Sequence, residues 1–470
     1  MDRQAVTNAS IRELAAMIRA GEVTPVELAE DAIERLESTG AELNAVVTLM
    51  IQRGLREALT AEAELAAGLD RGLLHGIPYG VKDLVAVAGA PTTWGAEPFH
   101  DQTFDADATI VRKLEAAGAV LVAKLSMVEL AGGMGYDHPD ASLTGPGLTP
   151  WDKGHWAGGS SSGSGSAVGA RCLPFAIGSE THGSITVPAA FCGVTGLRPT
   201  YGRVSRHGAM ALVWTMDKLG PLTRTADDAG IVLHAIAGPD PEDRTAVSRT
   251  YTYESAASRA EDFRLGLLKD ATEGIDFEVR AAFERSLAEL RKFSVIEEVA
   301  LPDLPHGPVA TLTIAAEASA AFDGFVAEGG PAALTGEADR YTPYAREAIS
   351  AHDYLRAQRV RTKIGREMDA LCARYDALVS PTVNWPAPPA DQTFDRRAFS
   401  GGVEIGAAGN VAGLPAVSVP NGFNGDGLPM SIQFVGRAFE ESRLIAVASA
   451  LQDRTDWHKR LPPTVSGGEK

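Results

Sequence analysis

Three short segments hold the side chains best suited to chemistry. HGIPYGVKD (75–83) ends on Lys82 and Asp83 after an apolar, glycine-punctuated run. WAGGSSSGSGSAVGA (156–170) packs five serines and two glycines between Ser160 and Ser166, with apolar sequence on both sides. GSETHGSITVPAAFCGVTGLRPT (178–200) sets Ser184 ahead of an apolar run broken by Pro188. A serine hydroxyl is a poor nucleophile until a neighbouring group takes its proton. None of the ten histidines sits in a recognisable triad motif. Lysine can serve as that base only when neutral. At its ordinary pKa of about 10.4, roughly one lysine in a thousand is neutral near pH 7.4. Burial lowers that value by ~3 units or more, which makes the neutral amine common. On its own Lys82 reads either as a lysine snorkelling to the surface, the commoner case, or as a buried one. Asp83 reads as a structural hydrogen-bond acceptor rather than a second base.

Simpler explanations of the Gly/Ser run fail on spacing. A Walker loop needs G-x-x-x-x-G-K-[ST], and no lysine follows here. GSGSAVG (163–169) spaces its glycines one residue too widely for the dinucleotide fingerprint. Gly159 to Gly163 does satisfy G-x-S-x-G, the nucleophile elbow centred on Ser161. That elbow must follow a buried strand, and TPWDKGHWAG is not one.

Taken together, these segments resemble the amidase signature enzymes. The resemblance runs from about residue 10 to 455 and is carried by four motifs in order. They are GIPYGVKD, GGSSSGSGSAVGA, GSETHGSITVPAAFCGVTGLRPTYGRVS, and GNVAGLPAVSVPNGF with GLPMSIQFVG (409–436). The spacing of Ser160 and Ser184 also matches the family's two catalytic serines. The resemblance implies a Ser-cisSer-Lys triad, with Ser184 the nucleophile, Ser160 the bridging serine after a cis Gly159–Ser160 peptide, and Lys82 the base. It implies backbone N–H donors from Thr181, His182, Gly183 and Ser184 around the oxyanion. Ser161, Ser162, Ser164 and Ser166 are then packing and backbone-bonding groups, so the run is an ordered relay and not a linker. The implied reaction is hydrolysis of amide-type C–N bonds through an acyl-enzyme, with anilides, esters or carbamates within reach and no metal or cofactor. The alternative is the glutaminase A subunit of a tRNA-dependent amidotransferase.

Departures from the family pattern bear on substrate. Glu180 and Thr186 stand where many relatives have aspartate and arginine, so that ion pair is absent. His182 replaces glycine or aspartate, and its imidazole reads as a bystander more readily than as a catalyst. LSMVELAGGMGYDHPDASLTGPGLTPWD (125–152) is longer than in the amidotransferase protein. Ala131, Gly132 and Gly133 within it are candidate substrate-pocket residues, a surface insertion being the even alternative. VEIGAAGNVAG (403–413) lacks the aspartate expected of a glutamine site, and its small residues suggest a roomy, weakly polar pocket. Together these features favour a hydrolase that works alone.

Such a site has to be held by a large scaffold, and the chain can supply one. It has 470 residues, 45% of them hydrophobic. Ser10 with Glu13 and Thr24 with Glu27 form capping boxes ahead of amphipathic stripes. DATIVRKLEAAGAVLVAKL (106–124) reads as a helix, a turn at Gly118 and a buried strand; FRLGLLKD, YDALVSPT and LPAVSVP read as further strands. Residues 238–260 are a polar loop between lobes. Strands alternating with helices predict a three-layer α/β architecture, and the resemblance implies a central mixed, twisted β-sheet covered by helices on both faces. The expected organisation is a helical segment over 1–70 packing on the core, a catalytic domain over 71–460 and a polar tail over 461–470.

The resemblance implies a small amide-type molecule as partner, and composition argues against larger ones. A net charge of −18 without a basic stripe argues against direct nucleic-acid or anionic-membrane binding. No apolar stretch approaches the ~18 residues of a membrane span, and MDRQAVTNAS has no signal-peptide core. Three cysteines make no disulfide framework and no C-x-x-C, which points to a reducing cytoplasm and against structural zinc. A monomer or homodimer is expected.

Overall fold

A computed structural model describes residues 2–253, 255, 262–346, 348–394 and 404–466. The strands in chain order are β1 (Val46–Leu49), β2 (Pro78–Lys82), β3 (Val120–Leu125), β4 (Leu148–Thr149), β5 (Asp152–Trp156), β6 (Phe175–Glu180) and β7 (Thr195–Arg198). They continue as β8 (Lys218–Thr223), β9 (Phe263–Leu268), β10 (Ser294–Val299), β11 (Ala377–Pro381), β12 (Ala416–Phe423) and β13 (Pro429–Val435). Eleven of them form one mixed sheet in the order β1-β3-β2-β6-β8-β7-β12-β13-β11-β9-β10, while β4 and β5 pair separately. β2 runs parallel to both β3 and β6, and β6 runs antiparallel to β8. β2, β3, β6, β7 and β8 are buried along their whole length, which is what strands covered on both faces require.

Both capping boxes are formed, ahead of helices Ile11–Ala20 and Pro25–Arg35, whose apolar faces are buried. The first seventy residues are not purely helical, however. Val46–Leu49 joins the sheet as β1, antiparallel to β3, so the segment is part of the core layer rather than a separate layer on it. The physical reason is local: VVTL is β-branched and too short for a helix. At the other end Pro463–Ser466 forms a helical turn anchored by the Thr464 hydroxyl on the Pro150 carbonyl. The rest of the predicted tail, 467–470, lies outside the described residues, as do 254 and 256–260 of the inter-lobe loop. Among the described residues no helix is long and apolar enough to cross a membrane. All three cysteines are free and buried.

The Gly/Ser run forms the helix Ser162–Gly169, every residue of which is buried. It packs against the helix Thr186–Cys192, and glycine is what allows the approach. A Cβ on Gly165 would sit 3.0 Å from the Pro188 carbonyl oxygen, and one on Gly169 would sit 2.8 Å from that of Cys192. The serines bond inward: Ser164 Oγ donates to the Ile177 carbonyl (3.2 Å), and Ser166 Oγ donates to that of Leu148. Gly163 is the tightest point, where a Cβ would lie 2.3 Å from Ala45 O and 2.5 Å from Ser126 N. Alanine normally favours a helix interior over glycine by about 1 kcal/mol. Here the blocking atoms are backbone and cannot swing away. Gly163→Ala is therefore expected to destabilise the protein by about 2–3 kcal/mol through overpacking, seen as a lower urea midpoint with an unchanged slope.

Candidate active site

Lys82 ends β2, and the loop Thr181–Ser184 follows the end of β6, its parallel neighbour. Both lie at the carboxyl edge of the parallel strands, where α/β sheets place their ligands. Lys82 is fully buried. Its Nζ donates to Ser160 Oγ at 2.6 Å and to Ser179 Oγ at 3.0 Å. Burial lowers its pKa well below the ordinary lysine value, and the Asp217 and Glu180 carboxylates only partly oppose this. Both hydrogen-bond partners are neutral hydroxyls, so no counter-ion holds the proton on. The snorkelling alternative is thereby removed.

Gly159–Ser160 is a cis peptide, as the resemblance implied. Ser160 is buried, and Val128 N–H donates to its carbonyl at 3.1 Å. Ser161 is no elbow nucleophile. Its hydroxyl exchanges bonds with the Ser179 backbone, donating to O and accepting from N at 3.2 Å each, and the preceding β5 is largely exposed. Ser184 is brought beside this turn through its carbonyl, which accepts from Ser161 N–H at 3.3 Å. Lys82 and Ser160 are thus joined directly, whereas the Ser160 and Ser184 hydroxyls share no hydrogen bond among the described residues. Catalytic bonds of this kind commonly tighten only around bound substrate.

The loop is anchored at both ends. Ahead of Ser184, the Thr181 hydroxyl donates to Asp217 Oδ1 at 2.6 Å. Lys218 Nζ reaches the Thr181 carbonyl (3.4 Å) and Asn410 Oδ1 (2.8 Å). Behind Ser184, Glu180 Oε2 accepts from the N–H groups of Ile185 (2.9 Å) and Thr186 (3.0 Å) and from the Thr186 hydroxyl (3.2 Å). Glu180 does have an ion-pair partner, but it is Arg198 on β7, at 2.9 Å, with Asn410 Nδ2 at 3.1 Å completing the shell. Burial opposes the Glu180 charge; Arg198 and Lys218 outweigh it and hold the carboxyl well below the usual carboxylate range. Gly183 has φ +89°, a left-handed turn suited to glycine. His182 is half-buried beside it. Asp83 is structural, as read: it pairs with the buried Lys124 at 2.7 Å and accepts from Thr93 N–H at 2.9 Å.

A cavity of about 240 Å³ opens beside Ser179 and Thr181, lined by Leu84, Met210, Leu212 and Leu219 together with the charged Arg206, Asp217, Glu242 and Asp243, with the exposed Trp214 also in its wall. Ala131 lines it. Gly132 and Gly133 do not; the space a Cβ would need there is taken by Tyr136 and Leu212 respectively. Residues 404–411 also do not contribute to it. They form a helix whose Ile405, Ala407 and Ala408 are core residues, so the small side chains there serve packing and make no roomy pocket. Residue 403 lies outside the described residues. A larger groove, about 1080 Å³, includes none of the site residues. Of its charged wall residues, Arg53 binds Asp107 and Glu57, and Arg71 binds Glu64. Among the described residues no cluster of three or more His, Cys, Asp or Glu side chains could hold a metal ion.

A profile of the amidase family matches residues 27–445. The chain belongs to the amidase family. The A subunit of the glutamyl-tRNA(Gln) amidotransferase of Carboxydothermus hydrogenoformans is 36% identical to this chain over 481 residues, 96% of this chain and 98% of that one. Peptide amidase from Stenotrophomonas maltophilia superposes with a TM-score of 0.84 at 30% identity, covering 95% and 97% of the two chains. The corresponding amidotransferase protein of Thermotoga maritima gives 0.80 at 27% identity, covering 97% of each.

Sequence reading missed Ser179, Arg198, Asp217, Lys218 and Asn410. Ser179 lay inside a quoted motif. The TMDKLGP segment (215–221) does carry a signal, an acid and a base side by side at the start of an apolar strand. One prediction follows from the lone amine. Between its depressed folded pKa and about 10.5, Lys82 binds a proton only in the unfolded chain, so it makes stability rise with pH. Compared with Lys82→Met, the wild-type amidase should gain stability across that window and no further above it, measured by urea unfolding at stepped pH. Parallel curves for the two proteins would refute a depressed amine.

Proposed function

We propose that this amidase hydrolyses amide C–N bonds through an acyl-enzyme on Ser184, using Lys82 and Ser160 as its proton relay. The observation that carries the reading is the buried Lys82 amine 2.6 Å from Ser160 Oγ, with only hydroxyl partners. Neutral Lys82 takes the Ser160 proton as Ser160 takes that of Ser184, and Ser184 Oγ attacks the carbonyl carbon. The N–H groups of Thr181 to Ser184 face the developing oxyanion, each aligned donor being worth ~3–4 kcal/mol in the transition state. The proton then passes back along the relay to the leaving nitrogen, the C–N bond breaks, and water repeats the sequence on the ester. This route calls for no metal or cofactor. The aliphatic side chains of Leu84, Met210, Leu212 and Leu219 within the cavity wall support a substrate with an apolar arm, an amide or anilide; in this reading no partner protein takes part.

A second reading has its own support. The relatives named for the glutamyl-tRNA(Gln) amidotransferase match nearly the whole chain, which favours glutamine as the amide and a partner protein as the destination of its ammonia. Initial rates on glutamine, an aliphatic amide, an acyl anilide, an ester and an aryl carbamate, each beside Ser184→Ala, separate the two. Turnover of apolar amides by the isolated chain, at least 10³-fold above Ser184→Ala and Lys82→Met, supports the first. Ammonia release confined to glutamine, and only when a B-type partner is present, would establish the second. Rates equal to Ser184→Ala on every substrate would refute both.

A further inference from the structure

The cavity wall and the nucleophile loop share one carboxylate. Asp217 Oδ2 accepts from the N–H groups of Leu212 and Val213, both at 2.8 Å, and its Oδ1 accepts the Thr181 hydroxyl at 2.6 Å. Leu212, Asp217 and Thr181 all line the cavity. The next residue, Lys218, holds the Thr181 carbonyl from the other side and is itself held by Asn410, which bonds Glu180. Thr181 is therefore gripped at its two polar groups by consecutive residues at the start of β8, Lys218 being the antiparallel register partner of Glu180. The far end of the loop is fixed by Glu180 on Ile185 and Thr186. Only the segment leading into Ser184 has a mount that continues into the cavity wall.

We propose that Asp217 is a positioning residue that couples occupation of the cavity to alignment of the loop Thr181–Ser184. A substrate arm packed on Leu212 presses the 212–213 backbone against Asp217. The same carboxylate then fixes Thr181, and with it the donors that follow. The arm's binding energy is thereby expressed in the rate of attack and not only in affinity, the form in which remote contacts accelerate chemistry. The inference rests on Ser184 being the nucleophile, and it goes beyond that reading by assigning the cavity a role in rate. A passive pocket, by contrast, would change affinity alone.

Two alkyl fluorophosphonates differing only in their arm, methyl and 4-phenylbutyl, give the test. Ser184 Oγ forms the P–O bond, the P–F bond breaks, fluoride leaves, and the serine proton passes through Ser160 to Lys82. In the wild type the long arm should raise the limiting labelling rate at least tenfold and also tighten the initial complex. In Asp217→Asn and Thr181→Val the rate advantage should fall below threefold while the affinity advantage remains. Thr181→Val leaves the carboxylate and its two backbone bonds in place, so it decides the matter if Asp217→Asn does not fold. A merely structural role would lower the melting temperature and slow both probes alike. Equal slowing, an undiminished rate advantage in Thr181→Val, or no rate advantage in the wild type would each overturn the proposal. Amide turnover is not used, so loss of the proposed hydrolytic function and loss of this coupling would be told apart.

Discussion

Everything at this site depends on an amine kept out of water without a counter-ion. Among the described residues three lysines are buried, all on strands of the one sheet, and each has different partners. Lys124 on β3 faces the Asp83 carboxylate at 2.7 Å, a paired charge. Lys218 on β8 is held by two carbonyl-type oxygens, of Asn410 and Thr181; burial and the nearby Arg198 push its pKa well below the ordinary value, and Glu180 and Asp217 only partly oppose this. Lys82 on β2 meets only hydroxyls. A buried cation facing neutral acceptors bears the desolvation cost with little Coulombic return, so the neutral form gains. The placement of Asp83 matters here. By turning toward Lys124, the carboxylate adjacent in sequence is taken away from the amine it would otherwise hold protonated.

The Gly/Ser helix is the mechanical counterpart of that electrostatics. To put a hydroxyl 2.6 Å from an amine at a strand end, the chain must pass between β3, β6 and the helix Thr186–Cys192. Glycine at 163, 165 and 169 gives backbone-to-backbone approach, and the serines between satisfy carbonyls that water cannot reach. Composition that looks flexible in isolation becomes a fully buried helix, because conformational freedom is lost once every neighbour is in contact.

Glu180 shows how a network survives a changed residue. Its side chain is one methylene longer than aspartate and pairs with Arg198 across the sheet rather than with a cation at 186. It still supplies two backbone N–H groups with an acceptor at the start of a helix. The helix Thr186–Cys192 is short and has no side-chain cap of its own, so this carboxylate does the capping. The loop Thr181–Ser184 is therefore mounted on buried ionisable side chains at both ends, and the cavity sits against one of them.

Much of this was legible from residue order. Capping boxes, the helix and strand around Gly118, and the strands ending in proline turns are local patterns, set by propensity and periodicity within a few residues. Lys82, Ser160 and Ser184 were singled out from linear motifs that resemble those of known enzymes, and the structure brings Lys82 to Ser160 at a cis Gly159–Ser160 peptide. What the chain order could not reveal is pairing between distant segments. Arg198 with Glu180, Asn410 with Lys218 and Asp217 with Thr181 depend on strand register. That Ala131 lines the cavity while Gly132 and Gly133 do not goes with the side chains that crowd the two glycines, the nearby Tyr136 and the distant Leu212. Sequence by itself determined which groups could react. Tertiary structure decided their protonation and their neighbours, because dielectric and distance belong to the packed interior and not to the chain.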